Sequence, residues 1–263
     1  MNAGRAGVCA IAIMAKAPRT GEVKTRLSPP LSAAQAAALS TCFLEDIAEN
    51  LVAAARSAPI DLYVAYSPPG SEGMLRSLLP QRIGLVASRR NGLGHSLLDA
   101  AEDLLAAGYG AVCLVNSDSP TLPTGVLAEA ATALARAGDR LVLGPSADGG
   151  YYLIGLKQLH RRLFEDIAWS TERVYRQTLD RARELGLDAV SLPPWYDVDD
   201  LASLRLLSRE LLGGRPPQAG NGEAAGPGYA APRSAALLRR LVGEDGALRR
   251  VLGAAAAGTR EER

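Results

Sequence analysis

The sequence predicts an α/β fold of three layers, α/β/α, with a mostly parallel central sheet, and three observations carry that prediction. Short runs of β-branched and aliphatic residues alternate with amphipathic stretches of helical period along residues 8 to 208, the order that βαβ units produce. One of these runs, Val112 to Val115, is apolar throughout, as befits a strand buried on both faces of a parallel sheet. It leads into NSDSP, so Asp118 falls just past the carboxyl end of the strand, at the edge where open α/β sheets bind ligands.

Composition bounds what such a fold can do. A chain of 263 residues suits one good-sized domain with an appendage. Hydrophobic residues at 48%, charged residues at 22% and a net charge of +1 give no electrostatic reason to expect nucleic acid or an anionic membrane as partner. Any anion site must therefore be local. Cys9, Cys42 and Cys113 are odd in number, lack paired spacing and sit in apolar contexts, which predicts buried free thiols in a reducing cytoplasm. His95 and His160, the only histidines, are too few for a zinc site or a serine-histidine triad. The apolar run Val8 to Ala15 is short and is followed at once by Lys16, so it reads as a first core strand rather than a signal peptide. With no apolar run of about 18 to 20 residues to cross a membrane, a soluble, cytoplasmic protein is expected.

The first strand, Val8 to Met14, runs into a Pro-, Gly- and base-rich loop, Ala15 to Leu31. Lys16, Arg19, Lys24 and Arg26 make this loop either a solvated basic segment or a wrap for phosphates, with Lys24 and Arg26 as a pyrophosphate grip. It lacks the Gly-Lys-Ser/Thr ending of a Walker loop. Ser32 caps a long helix from Ala33 to about Ser57, which Pro59 ends. A strand at Asp61 to Tyr66, a short helix near Glu72 to Leu79 and a strand near Ile83 to Ala87 follow. RRNGLG then opens a helix from about His95 to Ala107. Its glycines, Gly94 among them, either shape the turn, with His95 as a cap, or let the helix amino end meet an anion or a base.

After the central strand, Asp118 either holds a hard divalent cation that bridges substrate phosphates, or starts the next helix with Pro120 and Pro123 shaping the turn. That helix spans Thr124 to Ala137 and precedes a strand at Arg140 to Leu143. Asp148, Gly149 and Gly150 make a tight turn before the strand Tyr151 to Leu156, as a hairpin or as a close approach of backbone to ligand. In AWSTERV, Ser170 or Thr171 caps a helix to about Leu185, and Trp169 is a hydrophobic staple or an aromatic floor for a sugar or base. Beyond the strand Asp188 to Leu192, the cluster Asp197, Asp199 and Asp200 stands at the mouth of a final helix. Asp197 and Asp199 face the same way if extended, which suggests a second metal ligand there. Gly213 to about Pro232 is linker chemistry, and Ser234 to Ala254 forms one amphipathic helix before a charged tail. The expected domain layout is a catalytic unit over 1–212 and an appendage over 213–263.

Five segments taken together, AKAPRTGEVKTRL at 15 to 27, NSDSPTL at 116 to 122, GPSADGGYYLIGL at 144 to 156, AWSTERV at 168 to 174 and YDVDDL at 196 to 201, resemble one bacterial family. It is the DUF2064 group, transferases 1 associated with radical-SAM and selenodomain proteins, or arsenosugar-biosynthesis-type glycosyltransferases. The resemblance covers about residues 8 to 208, in order and with compatible spacing. It implies the glycosyltransferase-A fold of the nucleotide-diphospho-sugar transferases, and a likeness to the 2-phospho-lactate and molybdenum-cofactor guanylyltransferases.

The resemblance implies roles as well. Lys24 and Arg26 would hold nucleotide phosphates, and Asp118 and Asp199 would hold Mg²⁺ or Mn²⁺; Lys16 and Arg19 of the same loop, and Asp197 of the same acidic cluster, are further candidates from their positions in the sequence. Asp148, Gly149 and Gly150 would lie near the acceptor; read from the residues themselves, Trp169, Ser170 and Thr171 are further acceptor candidates, and Asp148 is the candidate base if configuration inverts. RRNGLGHS stands where a GGDLG-like segment is expected and NSDSP where GSDCP is expected, departures that bear on the acceptor more than on the metal. The implied activity is metal-dependent transfer of a sugar from a nucleotide-sugar to a small-molecule acceptor. A nucleotidyltransferase joining an NTP to a phosphorylated acceptor, and a non-catalytic nucleotide-binding module, are the alternatives; homodimerisation is allowed for.

Overall fold

The computed structural model describes residues 4–213 and 227–254. In chain order these form β1 (Cys9–Lys16), α1 (Ala33–Ala54), β2 (Ile60–Ser67), α2 (Glu72–Leu78), β3 (Gly84–Ala87), α3 (Leu93–Ala106), β4 (Ala111–Asn116), α4 (Thr124–Ala135), β5 (Arg140–Pro145), β6 (Tyr151–Leu156), α5 (Val174–Glu184), β7 (Asp188–Ser191), α6 (Leu201–Gly213), α7 (Pro232–Glu244) and α8 (Gly246–Leu252). The strands make one sheet in the order β3-β2-β1-β4-β6-β5-β7. Only β6 runs against its neighbours, antiparallel to both β4 and β5. This is the α/β architecture that the alternating pattern predicts.

Period-two burial explains the layers. Along β1, Cys9, Ile11, Ile13 and Ala15 enter the core beneath α1, whereas Ala10 and Ala12 enter the core beneath α3. β4 divides likewise, with Cys113 and Val115 on one side and Val112 and Leu114 on the other. Both central strands are thus apolar on both faces. α1 opens with the expected cap: Ser32 accepts from the Gln35 amide while the Gln35 side chain accepts from the Ser32 amide. The three thiols are free; Cys9 and Cys113 are buried but Cys42 is only half-buried.

Three local expectations are corrected. Neither Ser170 nor Thr171 caps α5, which begins only at Val174: Ser170 is left-handed at φ 63 and the Thr171 hydroxyl turns back to the Ala168 carbonyl. His95 is no cap either, because α3 starts at Leu93 after Gly92 at φ 92 and places His95 inside its first turn. The single helix expected over Ser234 to Ala254 is two, α7 and α8, because Asp245 is extended and its carboxylate caps α8 through the Ala247 and Leu248 amides. The linker expected at 213–232 lies outside the described residues over 214–226, as does the charged tail over 255–263. No helix among the described residues is long and apolar enough to cross a membrane.

Candidate active site

β1 pairs in parallel with β2 on one side and β4 on the other, so the order of strands reverses between β1 and β4. The carboxyl ends of strands at such a switch point frame a crevice that no crossover fills. A cavity of about 830 Å³ opens there, within the usual range for small-molecule sites. It is walled by the loop after β1, the end of β4, the β5–β6 turn, the loop before α5 and the segment before α6.

Asp118 and Asp199 are 81 positions apart in sequence, and backbone hydrogen bonds bring them together. After β7 the chain runs along β5, with Leu192 N donating to Leu143 O, Trp195 N to Pro145 O and Ala147 N to Trp195 O. It ends against β4, where Val198 N donates to Asp118 O at 2.8 Å. The two carboxylates then meet at one cation: Lys24 Nζ lies 2.7 Å from Asp118 Oδ1 and 2.7 Å from Asp199 Oδ1. Its third contact is the Val198 carbonyl at 2.8 Å, so every ammonium proton has a protein acceptor. The Lys24 side chain is 6% exposed and its ammonium lies 5.7 Å from the centre of the Phe43 ring. Burial alone would lower its pKa, yet the two carboxylates outweigh burial and hold it above the ordinary lysine value. The Lys24 backbone is left-handed, φ 50, a conformation that costs a non-glycine residue about 1 kcal/mol or more and turns the side chain into the site.

Asp197 stands apart from this arrangement. Its Oδ1 accepts from Ser146 Oγ at 2.8 Å, and no contact joins it to Lys24. Burial first, and then the negative charge of Asp148, push its pKa up to about 6. Among the described residues no group of three or more His, Cys, Asp or Glu side chains is placed to hold a metal; Asp118, Asp199 and Asp197 all line the cavity, the first two bonded to Lys24 and the third to Ser146. Asp200 is an α6 cap, bonded to the Ser203 amide.

The DGG turn is a hairpin at the cavity. It joins β5 to β6 as a hairpin and also lines the cavity through Asp148 and Gly150. Asp148 Oδ1 accepts from the Gly150 amide at 2.8 Å, and Gly149, at φ 88, lets the loop before α5 cross close above it: a Cβ there would lie 2.3 Å from the Glu172 carbonyl oxygen. That loop carries Trp169, Ser170 and Thr171 into the cavity wall.

The basic residues divide. Lys16, Lys24 and Arg26 line the cavity, while Arg19 turns away to donate to Ser71 Oγ at 3.1 Å. Lys16 Nζ also donates to the Glu22 carbonyl at 2.8 Å. Gly94 is not in the wall; it is the flat spot on α3 against which Trp169 packs, since a Cβ there would lie 2.4 Å from the indole. Ser146 and the Val198 carbonyl escape sequence reasoning, although a serine two positions before Asp148 in GPSADGG was a readable signal.

Comparison with known proteins agrees with the motifs. Residues 50–171 match the family model described as "Uncharacterized protein conserved in bacteria (DUF2064)", which bears out that resemblance. A crystal structure from Desulfovibrio desulfuricans G20, provisionally named a nucleotide-diphospho-sugar transferase, superposes with a TM-score of 0.72 at 28% identity, over 88% of this chain and 97% of that one. A cytidylyltransferase from Leptospira borgpetersenii serovar Hardjo-bovis superposes at 0.49 and 11% identity, over 95% and 99% of the two chains. Glucosyl-3-phosphoglycerate synthase from Mycobacterium tuberculosis, bound to Mn²⁺, UDP and glucosyl-3-phosphoglycerate, does so at 0.47 and 13%, over 97% and 83%. No curated protein matches the chain.

Proposed function

We propose that this protein is a metal-dependent transferase that uses a nucleotide-activated donor, and specifically a glycosyltransferase that moves a sugar from a nucleotide-sugar to a small acceptor. The observation that carries the reading is the convergence of Asp118 and Asp199 on one cationic point, 2.7 Å from each, inside a cavity at the switch point of the sheet. Two carboxylate oxygens at a single point suit a hard divalent cation, Mg²⁺ or Mn²⁺, provided that Lys24 vacates it. Asp118 and Asp199 would hold that ion, and it would neutralise charge growing on the departing diphosphate. The name given to the Desulfovibrio neighbour supports the same reading.

The chain's own residues supply the rest. Arg26 and Lys16 face the cavity from the loop after β1 and offer positive charge to the diphosphate. Trp169 adds an aromatic ring to the cavity wall, and Gly149 holds its loop against the DGG turn. Asp148 is the candidate base for an acceptor hydroxyl.

The test is incubation with Mn²⁺ or Mg²⁺, a panel of nucleotide-sugars and NTPs, and sugar and phosphate acceptors, read by phosphorus NMR. Release of a nucleoside diphosphate from one nucleotide-sugar is expected. Pyrophosphate from one NTP would instead make the protein a nucleotidyltransferase, and no turnover of any donor would leave a nucleotide-binding module.

A further inference from the structure

The ammonium of Lys24 sits at the point where Asp118 Oδ1 and Asp199 Oδ1 converge, and its third proton goes to the Val198 carbonyl. A divalent cation bonded to those two oxygens needs the same point, because oxygen bonds of about 2.0 to 2.6 Å leave no room for a second cation between the carboxylates. Resting on the transferase reading above, we propose that Lys24 is a displaceable internal counter-cation, which closes the Asp118–Asp199 pair in the free protein and transfers to the donor's diphosphate when a divalent ion takes its place.

Charge balance argues for the exchange. Two carboxylates and one ammonium leave the cluster one charge negative. With a divalent ion in place the pair is neutral, and Lys24, on a side chain only 6% exposed, is left with no carboxylate partner. A buried ammonium without a partner is costly, so the ion alone binds poorly. A diphosphate arriving alone meets the opposite obstacle, since it must draw Lys24 from two carboxylates. Together the two remove each other's obstacle: the ion frees Lys24 and the diphosphate receives it. The coupling is reciprocal, as linkage requires. Lysine suits this task because its point charge rides on a flexible four-carbon stem and does not depend on a fixed fork. The loop that carries it, Ala17 to Leu31, is irregular apart from one short turn at Thr25–Leu27.

Two measurements test the proposal. Mn²⁺ affinity, read from the electron paramagnetic resonance of free Mn²⁺, is compared in the wild type, Lys24→Met, Lys24→Arg and Asp118→Asn, each checked for native circular dichroism. Lys24→Met is expected to bind Mn²⁺ alone about tenfold or more tightly than the wild type or Lys24→Arg, within the usual range for linked sites. The second measurement needs no folded variant at that position: the Lys24 Cε signal of carbon-13 lysine-labelled wild type is followed by NMR. It is expected to move with Mg²⁺ and inorganic pyrophosphate together, and to stay in place with either alone at the same concentration. Equal Mn²⁺ affinity in the wild type and Lys24→Met, lost in Asp118→Asn, would overturn the exchange and leave the metal site standing. Absence of Mn²⁺ binding in every form would overturn both.

Discussion

Ser146 donates its hydroxyl to Asp197 at 2.8 Å, and that bond is the one favourable side-chain partner of a carboxylate that burial and the charges of Asp148 and Asp199 all disfavour. The folded-state pKa of about 6 lies above the ordinary value of 3.8, so the folded protein holds this proton more tightly than the unfolded chain does. The cost of ionised Asp197 is therefore full above about pH 6 and fades as pH falls toward 4. Asp197→Asn keeps a partner for Ser146 and is expected to stabilise the protein at neutral pH by about 1 to 3 kcal/mol. Thermal unfolding of both forms between neutral and mildly acidic pH checks this: the gain should shrink with acidification, and a constant difference would contradict the assignment.

Gly149→Ala tests the join between the DGG turn and the loop of Trp169. Its φ of 88 and the approach of the Glu172 carbonyl to 2.3 Å from a built Cβ leave no place for a methyl group, and the obstacle is backbone. The expected loss is about 2 kcal/mol or more of stability, with a changed Trp169 fluorescence as the loop lifts. Urea unfolding that matches the wild type would show that the crossing is looser than described.

Asp46, buried in the middle of α1, accepts the Arg233 amide at 3.0 Å, the Ser234 amide at 2.8 Å and the Ser234 hydroxyl at 2.6 Å. It thus closes the amino end of α7 from across 187 positions of sequence. Asp46→Ala is expected to cost about 2 to 4 kcal/mol, because buried donors lose their acceptor, and to make the α7–α8 segment the first site of limited proteolysis. Replacing Arg233, whose pairs with Glu45 and Glu49 are partly exposed, should cost less than about 1 kcal/mol. Equal losses from the two substitutions would contradict this ranking.

What could be read in advance was what depends on neighbours in sequence. The period-two burial of β1 and β4, the Ser32 cap and the position of Asp118 beyond β4 follow from local residue order. The ion pairs of Lys24 with Asp118 and Asp199 are not legible in the sequence, because Lys24 and Asp199 lie 175 positions apart and meet through backbone bonds that exist only in the fold, Val198–Asp118 among them. Alternation along an extended chain puts Asp197 on the face of Asp199, and both line the cavity; what the sequence does not show is that Asp197 bonds Ser146 beyond β5 while Asp199 bonds Lys24. Gly94 reads from the sequence as a turn glycine or as part of an anion site, and its contact with Trp169 is a tertiary feature that local order does not show. Ser170 and Thr171 carry the residue types of a helix cap, and the left-handed backbone at Ser170 overrides them.

The central claim, that Asp118 is one of the carboxylates on which donor chemistry depends, is tested most directly by one rate. The initial rate of nucleoside diphosphate release, at saturating donor and Mn²⁺, is measured for the wild type and for Asp118→Asn, which keeps the shape and removes the charge. A fall of about 10²- to 10⁴-fold with native circular dichroism retained is expected. A rate within a few-fold of the wild type would contradict the account, and would move the chemistry away from the Lys24–Asp118–Asp199 cluster.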